Sequence, residues 1–230
     1  MRSEIIDKTL SVESRTSEYY FIDFEFPEGA IPEIEHYEMT YKKGETIFKQ
    51  GTIVPHVVFI KSGMVKIMLE SENRKQPLCI EKEGFIGLES MYNDKFSQYT
   101  VIALTDIKVC LVEIESFKNA LATSARLAVN IIEALNIRTK LLYERILTLT
   151  QKQGPGRVAD ILLCMSNRIY QSDSFCSPCT RKEMAEMCAL SLESLSRILK
   201  DFKDESIIEA DTKMITILNR KELELISRVS

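Results

Sequence analysis

The sequence predicts an α+β fold: a small antiparallel β-roll, then a long helix, then a C-terminal winged helix-turn-helix. Three features predict it. Short apolar runs punctuated by glycine fill the first half, a long stretch without glycine or proline follows at heptad spacing, and two amphipathic segments with a hairpin close the chain. A chain of 230 residues, 45% hydrophobic, has enough apolar material for two cores without staples.

Residues 1–30 are polar and irregular, with Pro27, Gly29 and Pro32 close together, and read as a loosely structured lead-in with one short helix at most. From about Met39 to Glu113 the runs are Thr46–Phe48, Val57–Ile60, Met64–Leu69, Val101–Leu104 and Val109–Val112, with turns at Gly44, Gly51, Gly63 and Gly84. Closely spaced short strands of this kind suggest an antiparallel roll or barrel.

From Ser124 to about Gln151 the positions Ala125, Ala128, Ile132, Leu135, Thr139, Leu142, Ile146 and Leu149 alternate spacings of three and four. A seam of nearly four heptads needs a partner helix, and the same helix of a second subunit is the simplest one. The alternative is a long helix packed on its own barrel. Gly154-Pro155-Gly156 then reads as a break and a hinge, Val158 to Ile169 as one more helix, and Ser172 to Pro178 as loop.

Two short helices are predicted within Arg181–Lys200. Met184, Met187 and Cys188 line the buried face of the first, and Ser191 caps the second. In the second, Leu195, Ile198, Leu199 and Phe202 face a core while Glu193, Ser196, Arg197 and Lys200 share another face. Arginine can donate a bidentate pair to guanine, glutamate can accept from cytosine N4, and serine suits either. Arg181, Lys182 and Lys200 are placed for phosphates. The alternative is an ordinary solvated face. The turn holds Ala189 where a positive φ often calls for glycine, a cost of roughly 1 kcal/mol. Ile207–Ala210 and Met214–Leu218 read as a hairpin, which completes a winged motif.

Lys43-Gly44-Glu45, Gln50-Gly51, Lys61-Ser62-Gly63, Glu83-Gly84-Phe85-Ile86-Gly87, the long helix, Gly156-Arg157-Val158-Ala159 and the helix-turn-helix occur in order over roughly Met39 to Leu218. In this the chain resembles the CRP/FNR superfamily of bacterial regulators. The resemblance implies a cyclic-nucleotide-binding-type β-roll, dimerisation through the long helix, double-stranded DNA bound as a near-palindromic operator, and RNA polymerase as a partner. The domains are then a lead-in at 1–30, a β-roll sensor at 31–123, a dimerisation helix at 124–153 and a DNA-binding domain at 154–230. Glu193, Ser196 and Arg197 resemble the base-reading residues of the FNR branch. Leu192 stands where the cyclic-AMP-receptor branch has a base-reading arginine, so TTGAT-like half-sites are expected over TGTGA.

The family's cyclic-nucleotide pocket is implied to need a glutamate, an arginine and a Thr-Ser pair. Here those positions hold Leu88, Gln98 followed by Tyr99, and Leu142-Tyr143, with Glu89 one residue late and expected to point elsewhere. Tight cyclic AMP binding is therefore not expected, since a buried phosphate would lack its guanidinium. Leu88, Gln98, Tyr99, Leu142 and Tyr143 are the candidate walls of a pocket for another effector. No cysteine precedes Cys79, which argues against an N-terminal iron-sulfur cluster. Cys176 and Cys179 form a C-x-x-C, the one weak metal or redox candidate, with Cys164 and Cys188 nearby in sequence. Haem stays open, with His36 and His56 isolated. No metal site is assigned.

A net charge of −4 requires DNA binding to come from a local patch. The absence of a leader pattern or an apolar run near eighteen residues predicts a cytoplasmic protein with no membrane partner. No P-loop, catalytic metal signature or nucleophile motif is present, so an enzyme is not expected. A ligand-binding module whose winged helix contacts protein, and a redox-, metal- or haem-responsive regulator, are the alternative readings.

Overall fold

The computed structural model describes residues 21–23, 34–72, 74–92 and 95–230. The rest of the predicted lead-in lies outside the described residues. Its described part, β1 (Phe21–Asp23), is not helical but a strand parallel to a later strand of the roll.

The roll contains β2 (Tyr37–Tyr41), β3 (Thr46–Phe48), β4 (His56–Ser62), β5 (Val65–Ser71), β6 (Arg74–Ile86), β7 (Thr100–Ala103) and β8 (Ile107–Glu113). Their order is β2-β8-β4-β6-β5-β7-β3, antiparallel throughout, with β1 added to β6. All five predicted apolar runs are strands. The alternation of β4 and β8 sends Val58, Ile60, Ile107 and Val109 inward onto Val65, Ile67 and Val101. Strand β6 shows no sustained apolar run in sequence because it carries charges and Pro77. It tolerates the proline because the register slips between Ile67 and Met68, opposite Cys79 and Pro77, so one residue bulges out. Gly63 is required at its turn: its φ is 92°, and a Cβ there would lie 2.5 Å from the Asp106 carbonyl oxygen.

Two helices follow, the unpredicted α1 (Ile114–Thr123) and the long α2 (Ala125–Gln151). Ser124 caps α2 by accepting from the Leu127 amide at 3.2 Å. Under the roll, Phe59, Phe85 and Phe117 form a chain with ring centroids 4.8 and 5.0 Å apart, closed by Leu127 and Ile131 of α2. Helix α2 has two distinct apolar faces. Leu127, Ile131 and Ala134 are buried on its own roll, whereas Val129, Ile132, Leu142 and Ile146 are exposed. Of the predicted seam, Ile132, Thr139, Leu142 and Ile146 are exposed, and Ala128, Leu135 and Leu149 are half-buried. No single helix among the described residues is long and apolar enough to cross a membrane.

The predicted break falls slightly earlier than expected, at Lys152–Gln153. Gly154 and Pro155 already belong to α3 (Gly154–Cys164), since proline suits a first turn. Nor is the joint a free hinge. Lys152 Nζ pairs with the buried Asp160 carboxylate at 2.8 Å, and Ser227 Oγ donates to the same group. A π-helical turn, Met165–Tyr170, continues α3. Next come β9 (Ser174–Cys176), α4 (Arg181–Met187), α5 (Leu192–Asp204), β10 (Ile208–Ala210), β11 (Met214–Ile217) and α6 (Arg220–Val229). The stretch expected as loop at Ser172–Pro178 thus supplies a third strand: β9 pairs with β11, which pairs with β10. One apolar core joins α3 to α6 and includes Ile80 and Leu104 of the roll.

Candidate nucleic-acid interface and the cavity of the roll

The helix-turn-helix is built by local signals. Thr180 and Glu183 form a capping box: the Glu183 amide donates to Thr180 Oγ1 at 3.2 Å, and the Thr180 amide donates to Glu183 Oε2 at 2.8 Å. After α4, Ala189 adopts φ 51°, the left-handed conformation expected of that turn. Ser191 then caps α5, accepting from the Ser194 amide at 3.1 Å. Leu195, Ile198, Leu199 and Phe202 are buried, and this leaves Glu193, Ser196, Arg197 and Lys200 exposed together. Ser196 Oγ donates back to the Leu192 carbonyl at 2.8 Å. Lys182 is exposed, but Arg181 is half-buried, and its Nη2 donates to the Asp211 carbonyl at 2.6 Å, tying α4 to the turn of the wing.

Helix α4 is also held against the roll. Lys66 of β5 pairs with Glu183, Gln76 Nε2 of β6 donates to the Glu186 carbonyl, and Arg145 Nη2 of α2 donates to the Met187 carbonyl. Sequence reasoning missed these contacts, which join partners more than forty positions apart.

Between the roll and α2 lies a cavity of about 330 Å³. Ile67, Leu69, Leu78, Cys79, Leu141 and Leu142 make its apolar wall, and Glu81, Glu89, Gln98, Tyr99, Arg138 and Arg145 are its polar members. Glu81 is fully buried and receives Arg138 Nη2 at 2.7 Å on Oε2. Arg138 also donates to the Phe85 carbonyl and lies 3.6 Å from Glu89. Tyr99 Oη donates to Glu89 Oε2 at 2.8 Å and accepts from the Gly87 amide at 3.1 Å. Burial pushes the Glu81 carboxyl up to about 7; Arg138 pulls it down and Glu89 adds to the rise.

Of the five predicted wall residues, Gln98, Tyr99 and Leu142 line the cavity, while Leu88 and Tyr143 do not. After Gly87 (φ 84°) the chain makes a 3₁₀ turn, Leu88–Ser90, which sends Leu88 into the core with Phe85 and Phe117. The same turn brings Glu89 to the cavity, contrary to the expectation that it points elsewhere. Tyr143 lies on the exposed side of α2. Glu81, Arg138 and Arg145 were missed. A signal existed: Arg138 and Arg145 are one heptad apart, interrupting the inward apolar stripe of α2.

Neither histidine lines the cavity. His36 is exposed, its Nδ1 2.8 Å from the Ile34 carbonyl. Among the described residues, one group of three metal-ligating side chains gathers, His36, Glu38 and Cys110, and Lys61 already pairs with Glu38 there. Cys176 is exposed and Cys179 buried, both as free thiols. Burial pushes the Cys179 and Cys188 thiols up to about 12, which disfavours the thiolate a metal needs.

A β-roll enclosing a cavity, a long helix along it and a winged helix-turn-helix docked beyond define a DNA-binding transcription regulator with a built-in ligand-binding-type domain. Residues 38–124 match the cyclic nucleotide-binding domain, and residues 156–226 match the Crp-like helix-turn-helix domain. The chain belongs to the CRP/FNR family, whose members are transcription regulators rather than enzymes. It is 26% identical over 195 residues to Electron transport regulator A of Shewanella oneidensis, covering 81% of this chain and 76% of that one. It is 24% identical over 188 residues to Transcriptional activator protein FnrA of Stutzerimonas stutzeri, covering 77% and 75%. In fold it is similar to FixK2 from Bradyrhizobium japonicum, with a TM-score of 0.76 at 24% identity over 86% of this chain and all of that one. It is also similar to the c-di-GMP responsive regulator CLP of Xanthomonas campestris, with a TM-score of 0.71 at 18% identity over 79% and 93%.

Proposed function

We propose that this regulator acts as a homodimer that reads a near-palindromic DNA operator with Glu193, Ser196 and Arg197, and is controlled by an effector other than cyclic AMP held in the cavity of the roll. The observation that carries the reading is the division of α5. Four apolar side chains lock one face to the core, and the three base-reading candidates stand exposed on the other. Lys182 and Lys200 take phosphates. Arg181 contributes through the guanidinium nitrogens that its bond to Asp211 leaves over.

Dimerisation is supported by the second apolar face of α2, where Ile132, Leu142 and Ile146 are more than two-fifths exposed although the opposite face is already packed. Leu142 belongs both to this seam and to the cavity wall, so an effector that moves it acts on the subunit contact. Arg145 connects the cavity to α4, a second path from effector to reading helix.

The cavity is a poor match for a cyclic nucleotide. Gln98 stands at the phosphate position with its amide donating to the Phe96 carbonyl at 3.2 Å, and two carboxylates face the interior. The c-di-GMP responsive CLP has the same fold, so the roll is not tied to one ligand chemistry. RNA polymerase is the downstream partner, and TTGAT-like half-sites are the expected target.

The test is an unbiased selection of bound duplexes followed by fluorescence anisotropy over a salt series. Arg197→Ala should abolish sequence preference and leave weak, salt-sensitive binding. Selection of TGTGA half-sites would overturn the branch assignment. Unchanged function in Arg197→Ala would favour a winged helix that contacts protein instead.

A further inference from the structure

The cavity's own chemistry narrows what it holds, given the reading above that it is the effector site. Its size sets the first bound. A 150 Å³ apolar cavity accommodates benzene, so about 330 Å³ holds roughly twice that, on the order of a dozen heavy atoms. The wall sets the second: Ile67, Leu69, Leu78, Leu141 and Leu142 call for an apolar body.

Charge sets the third bound. Glu81 and Glu89 both lie against Arg138, at 2.7 and 3.6 Å, so a further anion or cation would compete with pairs already made. The last bound is set by unmade hydrogen bonds: among the described residues Arg138 Nη1 is a donor, and Glu81 Oε1 an acceptor, without a hydrogen-bond partner. Glu81 is 0% exposed, its Oε2 is taken by Arg138, and its Oε1 has no hydrogen-bond partner among the described residues. Tyr99 is already committed, donating to Glu89 and accepting from Gly87, and does not supply that donor. A buried acceptor left unmade is costly, and a ligand that completes it is selected for doing so.

We propose that the effector is an uncharged, largely apolar molecule of about a dozen heavy atoms with a hydroxyl that bonds Glu81 Oε1. A hydroxyl both donates and accepts, so it pairs with the ionised or the protonated carboxyl.

The experiment uses the full chain and three probes of similar size: 4-pentylphenol, its methyl ether 4-pentylanisole, and 4-pentylbenzoate. Calorimetry should show the phenol binding about tenfold more tightly than the ether, the worth of one hydrogen bond to a buried carboxylate, and the benzoate weakest of all. Glu81→Gln should reduce the preference of phenol over ether, and Glu81→Leu should erase it. The wild-type ranking stands as a test even where a variant fails to fold. Equal binding of phenol and ether, tighter binding of benzoate, or no binding of any probe within its solubility overturns the proposal. Operator affinity, followed by anisotropy on the same samples, tests the reading beneath it. A phenol bound with the expected preference that leaves operator affinity unchanged upholds the ligand class and removes the effector role of the cavity.

Discussion

Replacing Arg138 by methionine should destabilise the chain in a way that grows with pH. Glu81 is fully buried, and among the described residues Arg138 supplies its one close cation, at 2.7 Å. Removing one partner of a buried pair leaves an uncompensated charge, a loss of about 3 to 5 kcal/mol when the remaining group stays ionised. Glu81 has an escape, because its folded pKa is already raised to about 7 and rises further without Arg138. A raised carboxyl pKa means the folded state holds a proton that the unfolded state releases. Stability therefore falls as pH rises from the unfolded value toward the folded one, by roughly 1 kcal/mol per pH unit. In the native chain that fall ends near pH 7. In Arg138→Met it continues beyond, so the cost of the substitution should be smaller at pH 6 and should increase by roughly 1 kcal/mol between pH 7 and pH 8. The chain has no tryptophan, so urea unfolding is followed by far-ultraviolet circular dichroism. The double variant Glu81→Leu, Arg138→Met should recover most of the loss at every pH, since a well-packed apolar pair replaces a buried ion pair at little cost. A pH-independent loss, or one below about 1 kcal/mol at pH 8, would refute the assignment of Glu81 as a buried carboxyl neutralised by Arg138.

Ala189→Gly should stabilise the DNA-binding domain by up to about 1 kcal/mol in denaturant titrations, because glycine adopts φ 51° without Cβ strain; a loss of stability would contradict the strained turn. Thr180→Ala removes half of the capping box and should cost about 1 kcal/mol, read as a lower thermal midpoint, with Thr180→Ser restoring most of it. Ile132→Glu with Ile146→Glu should yield monomers by light scattering and weaken operator binding by at least about tenfold, since both half-sites then bind independently. Dimers persisting in that variant would place the subunit contact elsewhere.

Much of this organisation is legible along the chain because its signals are local. Period-two runs such as Val57–Ile60 and the long helix Ala125–Gln151 depend on neighbours a few residues away, as do the serine caps and the turn at Ala189. The division of α5 into a buried face and an exposed polar face follows from helical spacing alone. Strands β6 and β9 were not legible, because pairing across the sheet stabilises them despite Pro77 and a polar composition.

By itself, then, the sequence determined the kinds of element, their order and the exposed polar face of α5, since each follows from periodicity and capping within one element. Which residues line the cavity was decided by tertiary structure. One 3₁₀ turn exchanges Leu88 for Glu89, and Arg138 of α2 meets Glu81, more than fifty positions away. That placement depends on how the long helix lies across the roll, a relation between distant segments that no local pattern encodes.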